Sequence, residues 1–290
     1  RRFGPVETIS APDQAEAVFG RALPVLAQTA GISQTVSVGT PSGAYASEIV
    51  ESIKTATRLT LAGQALAVVT NPISKAVLYQ QGFKFPGHTE FIASLCQATA
   101  LKADRPIMML VGGGLRVALA TIHVPLMRVL EHLSADSLSE TVRITHHALV
   151  QDFGLAAPRI ALTGLNPHAG EDGTIGTEER DLINPVAAEL RQSGINVSDA
   201  RPADTVFHEA LHDQFDAVIA MTHDQGLIPV KTLDIWGGVN TTLGLPIIRT
   251  SPDHGTAYDA AATGTCRPDS LIAALKLATQ LAANRGSAND

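Results

Sequence analysis

Only two of the 290 residues are cysteine, Cys96 and Cys266, too few for a disulfide framework. Aromatic residues make up 4% of the chain, with a single tryptophan, so any core must be aliphatic. Basic charge is scarce: 21 Lys and Arg stand against 28 Asp and Glu, a formal net charge of −7. Phosphate-backbone binding leaves a basic footprint, so this balance argues against a nucleic-acid partner. No apolar run approaches the roughly 18–20 residues that a membrane-spanning helix needs. The longest candidate, 106–120, is broken by Gly112-Gly113-Gly114 and by Arg116. No signal-peptide pattern is read at the start. The first residue is arginine rather than methionine, and the sequence is read as lacking an N-terminal piece. What is abundant is globular composition, 45% hydrophobic and 17% charged, enough apolar surface to offset the entropy of ordering. The expectation is a soluble, cytoplasmic α/β protein with one large or two medium cores.

Periodicity supports that class. Residues 42–62 predict a helix: Ser42 can cap it, and Ile49, Ile53, Ala56 and Leu59 recur at helical spacing. Residues 65–69 are a short apolar run that suits a buried parallel strand. Strands are also expected at 106–111 and 115–122, joined by the glycine triplet, and at 159–163, 216–221 and 245–249. Helices are expected at 134–153, 177–193 and 268–283. Glu178 and Glu179 would lie in a first turn, where the dipole favours acids. Alternating strands and helices predict a parallel-rich sheet covered on both faces, followed by a loose tail over 284–290.

Ligands of open α/β sheets gather outside the carboxyl ends of strands. Three predicted ends deliver a histidine: His123 after Thr121-Ile122, His168 in Leu165-Asn166-Pro167-His168-Ala169-Gly170, and His223 after Met221-Thr222. Imidazole is the commonest ligand of a catalytic divalent metal, and three protein ligands leave positions open for substrate. With ten histidines in the chain, three unrelated polar side chains are the competing explanation, and spacing leaves both open. A second motif, His208-Glu209-Ala210-Leu211-His212, matches the helical H-E-x-x-H of metalloproteases. Its context is poor, because the short helix starts near Asp204 and a strand follows almost at once. Lys75, Lys231 and Arg249 fall in loop-rich stretches beside strand ends and are candidates for binding an anion. Gly87-His88-Thr89-Glu90 opens a helix, whose N-terminus favours phosphate, and Asp253-His254-Gly255-Thr256 forms a polar loop before another. No G-x-G-x-x-G follows a strand and no P-loop is present, so a Rossmann-type dinucleotide site is not supported.

Seven stretches together resemble the 4-hydroxythreonine-4-phosphate dehydrogenase family of vitamin B6 biosynthesis. They are TNPISK (70–75), GHTEF (87–91), LNPHAG (165–170), PADT (202–205), HDQG (223–226), GVNTTLGL (238–245) and RTSPDHGTA (249–257), in family order over most of the chain. The family's opening strand and Gly-Asp-Pro-type loop have no counterpart here. The resemblance implies an α/β fold like that of isocitrate and isopropylmalate dehydrogenases. Two α/β/α subdomains would flank a cleft: 1–85 with 245–290, and 86–244, the latter carrying the metal and the dimer contacts. It implies NAD or NADP as cofactor, bound without the Rossmann fingerprint, and one divalent metal (zinc, cobalt, magnesium or manganese) held by His123, His168 and His223. The family site lies at a homodimer interface and draws ligands from both protomers. His88, Thr89, Lys231, Asn240 and Arg249 match substrate-binding positions. Asp204 and Asp224 match acidic residues near metal and substrate, and with Lys231 they are the candidate catalytic groups.

The implied reaction oxidises the C3 hydroxyl of the phosphorylated substrate and then releases carbon dioxide. The implied partners are a phosphorylated small molecule and a second copy of the chain, with no nucleic acid and no membrane. A relative acting on threonate or erythronate 4-phosphate, or another small hydroxy acid, would share this pattern.

Overall fold

A computed structural model describes residues 4–27, 35–99 and 104–287. Strand β1 (Val6–Ile9), helix α1 (Ala15–Phe19) and strand β2 (Leu23–Leu26) form a small parallel pair. There follow α2 (Ala46–Leu61), β3 (Ala67–Val69), α3 (Lys75–Tyr79) and α4 (His88–Gln97). The hairpin of β4 (Ile107–Gly112) and β5 (Leu115–Leu119) comes next, then α5 (Ala135–Gln151), β6 (Ile160–Thr163), α6 (Asn184–Gln192) and β7 (Val197–Arg201). The chain continues with α7 (Val206–Leu211), β8 (Ala217–Ala220), α8 (His223–Leu233), β9 (Val239–Leu243), β10 (Ile248–Pro252), α9 (Tyr258–Thr263) and α10 (Asp269–Ser287).

Eight strands make one sheet in the order β3-β10-β9-β4-β5-β8-β6-β7. Side chains of a strand alternate between faces, and here they divide into two cores. Ala118, Ile219, Met109 and Leu162 pack on one face with Leu138, Val142 and Leu149 of α5, Leu190 of α6 and Leu281 of α10. Val117, Leu119, Val218 and Leu110 pack on the other with Val206 and Phe207 of α7 and Leu227 and Val230 of α8. A third cluster joins α2 and α4 through Ile53, Phe91, Ile92 and Cys96. Ser134 and Ser137 cap α5 reciprocally, each hydroxyl accepting from the other's backbone N–H at 3.1 and 2.9 Å. Among the described residues no helix is long and apolar enough to cross a membrane.

The sheet is mixed rather than simply parallel-rich. β5, β8, β6 and β7 are parallel neighbours, but β10-β9, β9-β4 and β4-β5 are antiparallel. The glycine triplet is the cause at β4-β5, because Gly113 and Gly114 take φ of 58° and 86° and close a tight hairpin. β3 therefore runs opposite to β5. The strand expected at 245–249 lies three residues later, because Leu245 and Ile247 pack into the α2–α4 cluster before pairing begins. The helix expected from 177 opens with a single π-turn over Glu179–Ile183, and Glu179 is buried instead of lying beside a dipole in solvent. Residues 284–287 are helical rather than loose: Asn284 donates to the Asp152 carbonyl at 2.8 Å, and Arg285 pairs with the Asp152 carboxylate at 2.7 Å. Residues 288–290 of the expected tail lie outside the described residues.

Candidate active site

β5, β8 and β6 are parallel neighbours, so their carboxyl ends share one edge of the sheet. Those ends lead to His123, His223 and His168, in that spatial order. Threonines lace the three exits together. The Thr121 hydroxyl donates to the Met221 carbonyl at 2.6 Å. Thr163 Oγ1 accepts from the Met221 N–H at 3.0 Å and donates to Gln225 Oε1 at 3.3 Å. Gln225 closes the lattice by donating from Nε2 to the Gly164 carbonyl at 2.9 Å.

The rings of His123 and His223 stand 5.5 Å apart between centroids. His223 Nδ1 is 2.8 Å from Asp224 Oδ1, which orients the ring and leaves Nε2 as the outward nitrogen. Burial depresses the His123 imidazole below its usual range, with further depression from the charges of Lys75 and His223 against an opposing effect of Glu90. A neutral imidazole is the ligating form. His168 is exposed on a turn of unusual backbone. Within a single chain it does not complete a cluster: among the described residues no three His, Cys, Asp or Glu side chains gather closely enough to hold an ion.

The second group of residues surrounds Arg249. This side chain is only 4% exposed in β10. Its Nη1 donates to Thr242 Oγ1 at 3.1 Å and its Nη2 to Thr70 Oγ1 at 2.9 Å. Its Nε is buried with no partner, and neither hydroxyl is an anion. Desolvation lowers its pKa to about 10 against an opposing effect of the Glu90 charge. His88, at the start of α4, is pushed down to about 4 by burial and by the Arg249 charge. Thr89 follows it, half-buried in the same first turn. Asn240, in β9, leaves its Oδ1 buried without a partner. An orphaned buried donor and an orphaned buried acceptor carry a desolvation cost that a polar ligand would remove. An open cleft of about 690 Å³ adjoins them, lined by Val68 to Ser74, by Ile49 and Ile53 of α2, and by His88 and Tyr258.

Lys231 lies in the last turn of α8, not in a loop. Its Nζ is 2.8 Å from Asp253 Oδ2, in the polar stretch that follows β10. Asp224 is exposed in the first turn of the same helix, and Asp204 is exposed just before α7. The H-E-x-x-H stretch does not form a metalloprotease site. α7 ends at Leu211, His212 Nδ1 sits on the His208 carbonyl at 2.8 Å, and Glu209 is clamped by Arg201 at 2.6 Å. A general base needs a free carboxylate. The residues that sequence reasoning missed are the lacing Thr121, Thr163 and Gln225, the Lys231 partner Asp253, and Glu179. The partners of Thr121, Thr163 and Asp253 lie more than twenty residues away or across the sheet, which no local pattern reveals, whereas Gln225 also forms a capping box with Thr222, a T-x-x-Q signal that the sequence did offer.

Residues 4–278 match the family described as "Pyridoxal phosphate biosynthetic protein PdxA". The chain belongs to this family. A PdxA relative from Maricaulis maris, named 4-hydroxythreonine-4-phosphate dehydrogenase, is 54% identical over 261 residues, 90% of this chain and 77% of the relative. One of the same name from Caulobacter vibrioides is 49% identical, covering 97% and 84%. Among solved structures, the 4-hydroxythreonine-4-phosphate dehydrogenase of Klebsiella pneumoniae superposes with a TM-score of 0.85 at 35% identity, over 97% of this chain and 84% of that one. A terephthalate 1,2-cis-dihydrodiol dehydrogenase from Burkholderia xenovorans matches at 0.63 and 31% identity, over 86% and 77%. This PdxA-family chain is thus similar throughout to proteins named as dehydrogenases, and its mixed α/β fold is theirs.

Proposed function

We propose that this chain is an NAD- or NADP-dependent dehydrogenase of 4-hydroxy-L-threonine 4-phosphate in pyridoxal phosphate biosynthesis. It oxidises the C3 hydroxyl: the C3 hydrogen leaves with its electron pair, the hydroxyl proton is lost, and a β-keto acid forms. The bond to the carboxylate then breaks, its electron pair moves into the C3 carbonyl as an enolate, and a proton added at C2 gives 3-amino-2-oxopropyl phosphate beside the released carbon dioxide. The observation that carries the assignment is Arg249, a buried cation with a free Nε and, among the described residues, no carboxylate in ion-pair contact, beside an electrically neutral His88. Such a socket suits a substrate anion.

Each residue has a role in this scheme. Arg249, His88, Thr89, Asn240 and Lys231 bind the phosphorylated substrate. Lys231 holds a proton at Nζ, oriented by Asp253, and exchanges it as charge develops on the C3 oxygen. Asp224 keeps the His223 ring in place, and Asp204 exchanges protons with solvent. His123, His168 and His223 would hold one divalent cation, and the outward nitrogen of His223 beside neutral His123 fits that purpose. Imidazole donors suit zinc and cobalt better than magnesium or manganese. When bound, the cation supplies Lewis-acid stabilisation of negative charge, and the nicotinamide supplies the oxidising capacity.

The scheme includes a homodimer in the cytoplasm, with ligands drawn from two protomers. Leu126, Met127 and Leu130, just after His123, are 76%, 98% and 53% exposed, an apolar surface suited to a second copy. The division into 1–85 with 245–290, and 86–244, belongs to the same proposal.

Steady-state NADH formation tests it, with 4-hydroxythreonine 4-phosphate, erythronate 4-phosphate and threonate 4-phosphate compared before and after a chelator. Chelator-sensitive turnover that prefers 4-hydroxythreonine 4-phosphate is expected. A preference for a sugar-acid phosphate would keep the site and replace the substrate. No turnover of any of them by metal-loaded protein would end the assignment.

A further inference from the structure

After β6 the backbone turns left-handed and stays so. His168, Ala169, Gly170, Glu171 and Asp172 take φ of 52°, 52°, 81°, 45° and 53° in succession. Four of the five are not glycine, and each such residue is disfavoured by the clash of Cβ with the carbonyl. A run of this kind persists only where its surroundings over-determine it, and such runs collect at functional sites. Besides the i→i+3 bonds within the turn itself, the Ala169 N–H donates to the Asn166 carbonyl at 3.2 Å, the Thr174 N–H and hydroxyl to the Glu171 carbonyl at 3.0 and 2.8 Å, and the Ile175 N–H to the Gly170 carbonyl at 3.1 Å.

Glu179 supplies a constraint from outside the turn. It is 3% exposed, in the π-turn that opens the following helix. Its Oε1 accepts from the N–H groups of Leu165 and Asn166 at 2.8 and 2.7 Å, and its Oε2 accepts from Asn166 Nδ2 at 3.0 Å. Glu178 accepts from the same Asn166 amide at 2.7 Å. The far side of the turn closes on the same carboxylate: a Cβ on Gly170 would lie 2.6 Å from Glu179 Oε2. Both ends of the segment that carries His168 therefore rest on one buried carboxylate. A π-turn closes i→i+5 bonds and so fits one more residue into the turn than an α-turn does, and such turns recur at functional sites.

We propose that Glu179 is a positioning residue for the metal site: it holds the left-handed turn that presents His168. The proposal rests on the assignment of His168 as a ligand. Glu179→Gln keeps the size of the side chain. It retains one oxygen for the backbone N–H groups, but it turns a donor against the Asn166 amide. Asn166→Ala removes the amide and leaves the two backbone contacts, so it is the milder variant.

The test titrates cobalt(II) into chelator-stripped protein and reads the visible ligand-field spectrum, kcat, KM and the metal-free thermal midpoint. The variants are Glu179→Gln, Asn166→Ala and His168→Ala. Glu179→Gln is expected to weaken cobalt binding at least tenfold and to shift the spectrum toward that of His168→Ala. Its kcat should fall more than its KM rises, and its midpoint should stay within ~4 °C of the parent. Asn166→Ala should move the same way by less, and it decides the matter if Glu179→Gln does not fold. Cobalt affinity and spectrum equal to the parent's in the folded variants, with any loss confined to the midpoint, would reduce Glu179 to a framework residue. Parental cobalt binding by His168→Ala would instead remove the ligand assignment, a failure separable from that of Glu179.

Discussion

The hydroxyl of Thr121 donates to the carbonyl of Met221 at 2.6 Å, and both groups are buried. This one bond ties the exit of β5, which leads to His123, to the exit of β8, which leads to His223. Thr121→Val keeps the shape and leaves the Met221 carbonyl without that donor. A loss of about 1–3 kcal/mol in unfolding free energy is expected from the unpaired acceptor. Because the two imidazoles depend on the same exits, metal affinity should fall as well. Urea unfolding and a zinc titration check both effects, and unchanged values in each would show that the exits are held by other means.

Arg249 makes no ion pair among the described residues, and the more distant Glu90 charge offsets only part of its desolvation, so its burial is a cost that the free protein carries. Arg249→Met is therefore expected to change the thermal midpoint little, since deleting an unpaired buried charge offsets the lost contacts to Thr70 and Thr242. Activity should fall at least ~1000-fold, as for removal of a buried anion partner worth several kcal/mol. Stabilisation of the parent by inorganic phosphate should vanish in the variant. Scanning fluorimetry with and without phosphate reads this directly. A variant that is grossly unstable yet still stabilised by phosphate would contradict the socket.

How much of this was legible in the sequence depends on the range of the interactions. The strand exits at His123, His168 and His223 were legible, because short apolar runs followed by turn residues mark buried strands. β9 was not, because Asn240, Thr241 and Thr242 look like loop residues. The two threonine hydroxyls are buried for a tertiary reason: Thr241 donates to the Arg249 carbonyl at 3.0 Å and Thr242 accepts from its guanidinium. α8 was hidden by Pro229 in its interior and Gly226 in its first half, residues that punctuate helices locally. Gly226 is required there, since a Cβ would meet Leu119 at 2.4 Å. Glu179 was visible only as an acid near a helix start. Its role depends on a loop thirteen residues upstream that no periodicity describes.

His88 makes stability depend on pH in a stated direction. Its imidazole titrates near 6.5 when unfolded and at about 4 when folded, through burial and the Arg249 charge. Between those values the unfolded chain binds a proton that the folded chain refuses. Stability is thus full above about pH 6.5 and falls as pH drops, by at most about 1.4 kcal/mol per unit, until about pH 4. His123 and His146 are depressed too and act in the same sense. The difference between parent and His88→Asn isolates His88. The variant should show a shallower loss of urea midpoint between pH 6.5 and 4.5. Parallel slopes would mean that His88 is solvated in solution.

The apolar surface beside His123 offers a test of the proposed assembly and of the proposed metal site together. Met127 is 98% exposed, which costs free energy in a chain that stays alone and is relieved when a second copy covers it. Met127→Glu adds a charge that the covered state would have to desolvate, and a two-fold interface would meet it twice. The variant should shift from dimer to monomer in light scattering while its far-ultraviolet circular dichroism stays that of the parent. If His123, His168 and His223 are brought together only by assembly, bound zinc should fall with the dimer fraction, and raising the protein concentration should restore both. A monomer that retains one zinc per chain would show that the three histidines converge within a single chain after all. A variant that remains dimeric would place the interface on another face.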